Sequence, residues 1–552
     1  MIIYVDNFGD NSNFAQPLIN AINTLNNGDT LCFSNKEYHF YKENCQSRII
    51  HMTNTDSFKN ELKYFAILIQ NAENITIDGN GATFVIHGDI CSFALLNCKN
   101  VKLQNFTIRY SRPQDVELKV VKSKGNVTTF ELPQSDLWHT DGKNVYFYDE
   151  SPITHEKYWQ FRNGDNTWCS VIHSNDVVMR MNHQKSPLYF VKKAVRNNDN
   201  LLEITYRKSR RFKAGDIYAY SQNKNRNTCG IFFNECENII SDNIRDMYLQ
   251  GFGWLSQMCK NVSFADIIFK ADENSVVTSF ADLIHICGCN GKVDIHNCYF
   301  AHAHDDAINI HGTFLRLRNK VNDNTCTFEF VHHQQGGHKA FYKGDKVRFY
   351  FRHNLSQLDS EYTVKSSTDD INNKTVTVEF EEALPSDIMS KYLGQNNIVA
   401  ENVTYCPSVE IYNNVFESIP TRGILCTTCN QVRIYNNKFA NLNMAHIFVS
   451  NDAADWYESG PVRNMQIYNN EFDLTQPNRR KNCALLVQPI TLSKRINFYV
   501  HQNISFYGNK IISGKNKPVI AYGVDNLDIY DNQIIGKQKL KLKYCKTKCQ
   551  SK

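Results

Sequence analysis

The sequence predicts an all-β fold: a right-handed parallel β-helix carrying two small β-barrel insertions. Three observations predict it. A short phrase recurs along the chain, its apolar residues alternate with polar ones, and two long aromatic-rich segments interrupt the recurrence.

The phrase reads "NVKLQNFTI" from Asn100, "NVSFADIIF" from Asn261 and "KVDIHNCYF" from Lys292. It returns as "SVEIYNNVF" from Ser408, "QVRIYNNKF" from Gln431, "NMQIYNNEF" from Asn464, "NISFYGNKI" from Asn503 and "NLDIYDNQI" from Asn526. Several copies lie about 23 residues apart and others lie farther apart, as loop insertions produce. Alternation with period two predicts short strands with one buried face. Asn and Gly at fixed offsets predict turns. One such unit cannot bury its inner face, but stacked copies can, each coil pairing with the next at about 4.8 Å. Asparagines recurring at one turn should then stack as a ladder. "FAQPLINAINTLNNGDTLCF" reads as a helix followed by a strand, which would plug the open end and block edge pairing. A leucine-rich repeat is the rival architecture, and its Leu-rich consensus is absent.

The interruptions contain "NVTTFELP" and "FKAGDIYAY" in the first, "FYKGDKVRFY" and "KTVTVEFEEALP" in the second. Both read as antiparallel strands joined by turns. The expected organisation is a cap and first coils over 1–111, a barrel-like insertion over 112–227, and coils carrying the site over 228–312. A second barrel-like insertion follows over 313–401, then C-terminal coils over 402–536 and a basic, frayed tail over 537–552. The barrels could also form a homodimer contact.

The bulk numbers exclude several function classes. The 552 residues are 42% hydrophobic and 21% charged, as in an ordinary globular protein. A net charge of +5 is small for this length and argues for no nucleic-acid partner. No apolar run reaches the length of a membrane span. The 18 cysteines lack the spacing of a disulfide scaffold and read as buried thiols. "CTTC" at 426–429 has no second half-site to complete a zinc knuckle.

The chemistry concentrates in "AHAHDDAINIHG", residues 301–312. Adjacent side chains on a strand point to opposite faces, so Asp305 and Asp306 can both face outward only at a bend or bulge. "FADLIHICGC" lies one coil earlier, and its Asp282 should sit about one rung from Asp305. Three carboxylates on one exposed face repel one another, so one should hold a proton at neutral pH. One protonated acid and one ionised base are what inverting glycoside hydrolysis requires, at about 6.5–9.5 Å separation.

An Asp on one coil with Asp-Asp on the next resembles the polygalacturonase-type inverting hydrolases of the pectin-lyase-like β-helix. "HAHDDAINIHGT", with "FADLIHICGC" upstream and two barrel-like inserts, resembles glycoside hydrolase family 110 more closely. That resemblance implies an exo-acting α-1,3-galactosidase that removes terminal α-galactose from blood-group-B or linear Galα1-3Gal glycans. It implies Asp305 as general acid, with Asp282 and Asp306 holding and activating water. The implied partner is an oligosaccharide or glycoconjugate.

Around the doublet, His302, His304, Asn309 and His311 are candidates for binding sugar hydroxyls. His302 and His304 have the spacing of a metal pair, but the hydrolysis needs no metal, and neither metal nor cofactor is expected. Trp254 and Trp456 are candidate platforms for the apolar face of galactose. Arg422 could contact hydroxyls or fix an aspartate. The alternatives are a polysaccharide lyase, a polygalacturonase-like hydrolase, or a non-catalytic glycan adhesin. Against a lyase, no paired basic residues lie between 282 and 312. "MIIYVDNFGD" lacks a charged n-region and does not read as a signal peptide. The expected location is secreted or periplasmic, with the signal absent from this chain, and cytoplasmic as the alternative.

Overall fold

The computed structural model describes residues 1–549 apart from 10–13, 59–60, 166–167, 173–176, 182, 199, 222–225, 274, 386–396 and 477–481. The recurring phrase forms one wall of a parallel β-helix. Val101, Ile239, Val262, Val293, Val409, Val432, Met465, Ile504 and Leu527 are successive register partners. All are buried. A second wall stacks Ile231, Trp254, Ile284, Ile308, Ile424, Ile447, Leu485 and Val519 in the same way. One apolar core runs the length of the coils.

The turn between the wall strands explains the Asn-Asn pairs. Asn413, Asn436 and Asn469 adopt positive φ of 57°, 56° and 54°, a region that short polar side chains tolerate. The asparagine that follows each one points inward. Asn414, Asn437, Asn470, Asn509 and Asn532 form a ladder, each amide donating to the next at 2.9–3.0 Å. Asn470 accepts from the backbone N–H and the amide of Asn437, and it donates to the Ile434 carbonyl and to Asn509. Asn470→Ala strands these buried groups and should lower stability by about 3 kcal/mol, read as an earlier urea midpoint. Asn526→Ala, in an exposed side-chain pair with Asn503, should lower it by less than about 1 kcal/mol. Equal losses would show that the inner ladder adds nothing.

The N-terminal plug is as expected: a helix over Ala15–Ile22 buries Leu18 and Ala21, and the strand Thr30–Cys32 follows. Over its described residues the C-terminal tail is not frayed. Lys541–Cys549 pairs in parallel with Val519–Tyr530. The alternation of lysines with Leu540 and Leu542 lays an apolar face on the last coil.

The two insertions differ. The second is a closed antiparallel barrel, running Ile308–Asn322, Thr325–Glu329, Thr375–Phe380, Gln357–Asp370, Lys346–Phe351 and Ile398–Asn402 back to the first strand. The first is not closed among the described residues. It is a seven-stranded sheet ending on Val178–Arg180 at one edge and Val191–Asn198 at the other, with a separate three-stranded sheet sharing its core. Its edge strand docks on the β-helix instead of closing the ring, through a hydrogen bond from the Asn443 amide to the Val178 carbonyl. That docking carries Arg180 to the site.

Candidate active site

Register builds the site. Two residues before the core positions Ile284, Ile308 and Ile424 stand Asp282, Asp306 and Arg422, one on each of three stacked coils. His285, Asn309, Leu425 and Phe448 form the neighbouring outward column. Asp282 therefore stacks with Asp306 and not with Asp305: Asp306 N–H donates to Asp282 Oδ1 at 3.1 Å, while Asp305 N–H donates to the Ala281 carbonyl. The true offset between the coils is one residue longer than the repeat spacing suggests. Residues 302–307 form a bend between Tyr299–Ala301 and Ile308–Asn322, which lets both members of the doublet face the same cavity.

The carboxylates lie closer and deeper than expected. One oxygen from each of Asp282, Asp305 and Asp306 lies within 4.8 Å of the others. Side-chain exposure is 5% for Asp282, 1% for Asp306 and 15% for Asp305. Arg180 Nη2 is 2.9 Å, Arg226 Nη2 3.3 Å and Arg422 Nη2 3.6 Å from Asp305. Arg422 Nε is 2.7 Å from Asp306. Burial raises the Asp305 carboxyl, but Arg180, Arg422 and Arg226 outweigh it and hold it at about 2. Burial pushes Asp282 up to about 7, with the Asp305 charge adding to it. Asp306 also rises to about 7, from burial against the pull of Arg422. Asp305 is thus held in the ionised form, and Asp282 and Asp306 are each pushed toward the protonated form. Distant segments thus supply three arginines to the site, so the lack of paired basic residues between 282 and 312 does not exclude a lyase.

The cavity is small, about 170 Å³. Trp456, Phe448, Leu425 and Ile490 give it apolar wall, and Asn54, Asn309 and Glu458 give it polar wall. Trp456 sits under the Arg226 guanidinium at 5.7 Å and against the His332 ring at 4.1 Å. Its loop is built by Asp452, whose carboxylate accepts from the N–H groups of Ala454, Asp455 and Trp456.

Several candidates lie elsewhere. Trp254 is fully buried in the core column with Ile284, its Nε1 donating to Asp246 at 2.8 Å, and it offers no sugar platform. His302 and His304 do not line the cavity, because the chain bends there and strand parity is lost; His302 has φ of 58°. The ring of His304 faces Asp115, while its carbonyl accepts from Arg180 at 2.7 and 3.0 Å. His311 stands behind His285 and does not reach the cavity. Asn309, Arg422 and Trp456 do line it.

Among the described residues, two groups are close enough to hold a cation: the three aspartates, and His285 with His311 and Glu458. The first is already matched by arginines. In the second, the two Nε2 atoms are 2.9 Å apart, shorter than the roughly 3.3 Å that two nitrogens keep on one tetrahedral zinc. This is hydrogen-bond spacing.

Residues 325–391 match the family model described as GLAA-B beta-barrel domain II, most of the closed barrel. Over 535 residues the chain is 30% identical to Alpha-1,3-galactosidase A of Bacteroides thetaiotaomicron, covering 95% of this chain and 89% of the relative. The chain belongs to the alpha-1,3-galactosidase family. A family member of the same name from Akkermansia muciniphila is 31% identical, covering 83% and 73%. An Alpha-1,3-galactosidase B from Phocaeicola vulgatus is 26% identical, covering 92% and 83%. Among solved structures, a family 28 exopolygalacturonase of Yersinia enterocolitica aligns with a TM-score of 0.39 at 9% identity, over 100% of this chain and 78% of the other.

Proposed function

We propose that the protein is an exo-acting glycoside hydrolase of family 110, releasing terminal α-1,3-linked galactose with inversion. The observation that carries this is the Asp282–Asp305–Asp306 cluster on two stacked coils, in a chain related along nearly its whole length to proteins named α-1,3-galactosidase. The small cavity suits one terminal sugar ring better than a threaded polymer. A terminal galactose would rest against Trp456, with Asn309 and the arginines meeting its hydroxyls.

Depth assigns the roles. The leaving group must extend toward solvent, so the acid is the outermost carboxyl, Asp305. Asp282 and Asp306 lie deeper, stacked side by side, and form a two-oxygen seat for water. The arginines hold Asp305 ionised, so sugar hydroxyls must draw Arg180 and Arg226 away before it takes up the proton of Asp306. By spacing alone the cluster sits nearer the about 5–5.5 Å of retaining enzymes than the about 6.5–9.5 Å of inverting ones. The paired water seat supports inversion.

The first test is galactose release from α-1,3-, α-1,4- and α-1,6-linked galactosides, with blood-group-B trisaccharide and linear Galα1-3Gal as the α-1,3 arms. Release from α-1,3 linkages alone is expected. The three arginines favour a second reading, an anionic substrate, so polygalacturonate belongs in the panel. Unsaturated product from it, with no galactose from any galactoside, would replace the reading with a lyase.

A further inference from the structure

Behind Asp282 runs a chain of buried rings that the hydrolytic scheme does not use. His285 Nδ1 lies 2.9 Å from Asp282 Oδ2. His285 Nε2 lies 2.9 Å from His311 Nε2, and His311 Nδ1 lies 2.7 Å from the Gly312 carbonyl oxygen. Glu458 Oε1 is 3.4 Å from His311 Nε2 and accepts from the Asn54 amide. All four side chains are buried to 10% exposure or less.

The fixed groups assign the hydrogens. A carbonyl only accepts, so His311 Nδ1 carries hydrogen. The contact between the two Nε2 atoms needs one hydrogen between them. If His311 is neutral, that hydrogen belongs to His285. A neutral His285 then presents a bare Nδ1, and only a protonated Asp282 can complete the bond to it. An ionised Asp282 beside two neutral rings would leave two bare nitrogens facing each other at 2.9 Å. The chain therefore holds one extra proton, with Asp282 at one end and His311 at the other.

We propose that Asp282, His285 and His311 form a proton relay, given its direction by the Gly312 carbonyl, that lifts the proton off Asp282 and frees this carboxylate to act as base toward the attacking water. In the shift, the Asp282 O–H breaks as a bond to His285 Nδ1 forms, and the His285 Nε2–H breaks as a bond to His311 Nε2 forms. No proton enters or leaves. The resulting imidazolium at His311 faces Glu458. Ionised Asp282 then takes the proton of water as the water oxygen bonds to the sugar carbon. Burial holds both rings below the usual imidazole range and Asp282 above the usual carboxylate range, so the resting proton is on Asp282. The other charged groups bearing on the rings are Arg226 and Asp305 on His285, and Asp452 on His311. His285 and His311 are positioning residues, acting through Asp282. The relay deepens the hydrolytic reading and rests on it.

Neutron diffraction from the intact protein at neutral pH reads these hydrogens directly. Hydrogen on His311 Nδ1, on His285 Nε2 and on Asp282, with His285 Nδ1 bare, is expected. Hydrogen on His285 Nδ1 and on both nitrogens of His311 is the shifted end of the same relay and also supports it. Bare nitrogens facing each other, or a metal between them, would overturn it. In kinetics on an α-1,3 disaccharide, His311→Ala should lower kcat on the order of 10–100-fold, leave KM within about two-fold, and regain part of the loss in added imidazole. An unchanged kcat would overturn the relay. If the unmodified protein releases no galactose, the hydrolytic reading fails, while the neutron result still decides the hydrogen arrangement.

Discussion

Asp305→Asn should lower turnover of an α-1,3 disaccharide by about three orders of magnitude, within the usual range for a lost general acid. The same variant should keep much of its turnover on an aryl galactoside whose leaving group needs no proton. Asp282→Asn and Asp306→Asn should lose both substrates, because each removes one oxygen anchor of the attacking water. Asparagine preserves the shape: at 282 and 306 its amide can still donate where a protonated carboxyl donates, and at 305 its oxygen can still accept from the arginines, so all three should fold. Steady-state assays on the two substrates check this. Wild-type disaccharide turnover by Asp305→Asn would end the acid assignment. Loss of the aryl substrate in that variant, with retention in Asp306→Asn, would exchange the roles and agree with an ionised Asp305 and a protonated Asp306.

Arg422→Met should destabilise the protein by about 3 kcal/mol at pH 8, since breaking a buried ion pair leaves a charge without its partner. Arg422 is the cation bonded to Asp306 at 2.7 Å, and its guanidinium lies over Phe448; methionine keeps part of the apolar stem. The loss depends on pH in a direction the site fixes. Asp306 has a folded value of about 7, above the ordinary 3.8. The folded state thus holds its proton, and the stability from that proton is complete below about 4 and lost as pH rises through 7. At pH 5 Asp306 is neutral and has less need of the arginine, so the deficit should shrink. Urea midpoints of both proteins at pH 5 and pH 8 measure it. Equal deficits would mean that Asp306 does not change its charge between the two pH values.

The walls of the β-helix were legible because period-two alternation and Asn turns are local, and a buried core holds them in register over many coils. The second insertion closes as the strand pattern suggests. The first does not, because its edge strand finds a partner on the β-helix, which is a tertiary choice. At the site, the aspartates, Asn309, Arg422 and Trp456 were found from motifs near the coils. Trp254 was misplaced through register: aligned with Ile231 and Ile284, it falls on an inward position. His285 was visible in "FADLIHICGC", one position beyond an inward isoleucine and so on the outward face. Arg180, Arg226, Asn54 and Glu458 carry no local signal. They arrive from an insertion edge, from loops and from the two-residue strand Glu458–Ser459, whose placement depends on the assembled coils.

The water seat proposed behind Asp305 is tested most directly by proton NMR of the galactose first released from an α-1,3 substrate, recorded before mutarotation. The proposed inverting mechanism predicts the β-anomer as the initial product. An α-anomer appearing first would contradict it, placing a carboxylate where water is proposed to attack.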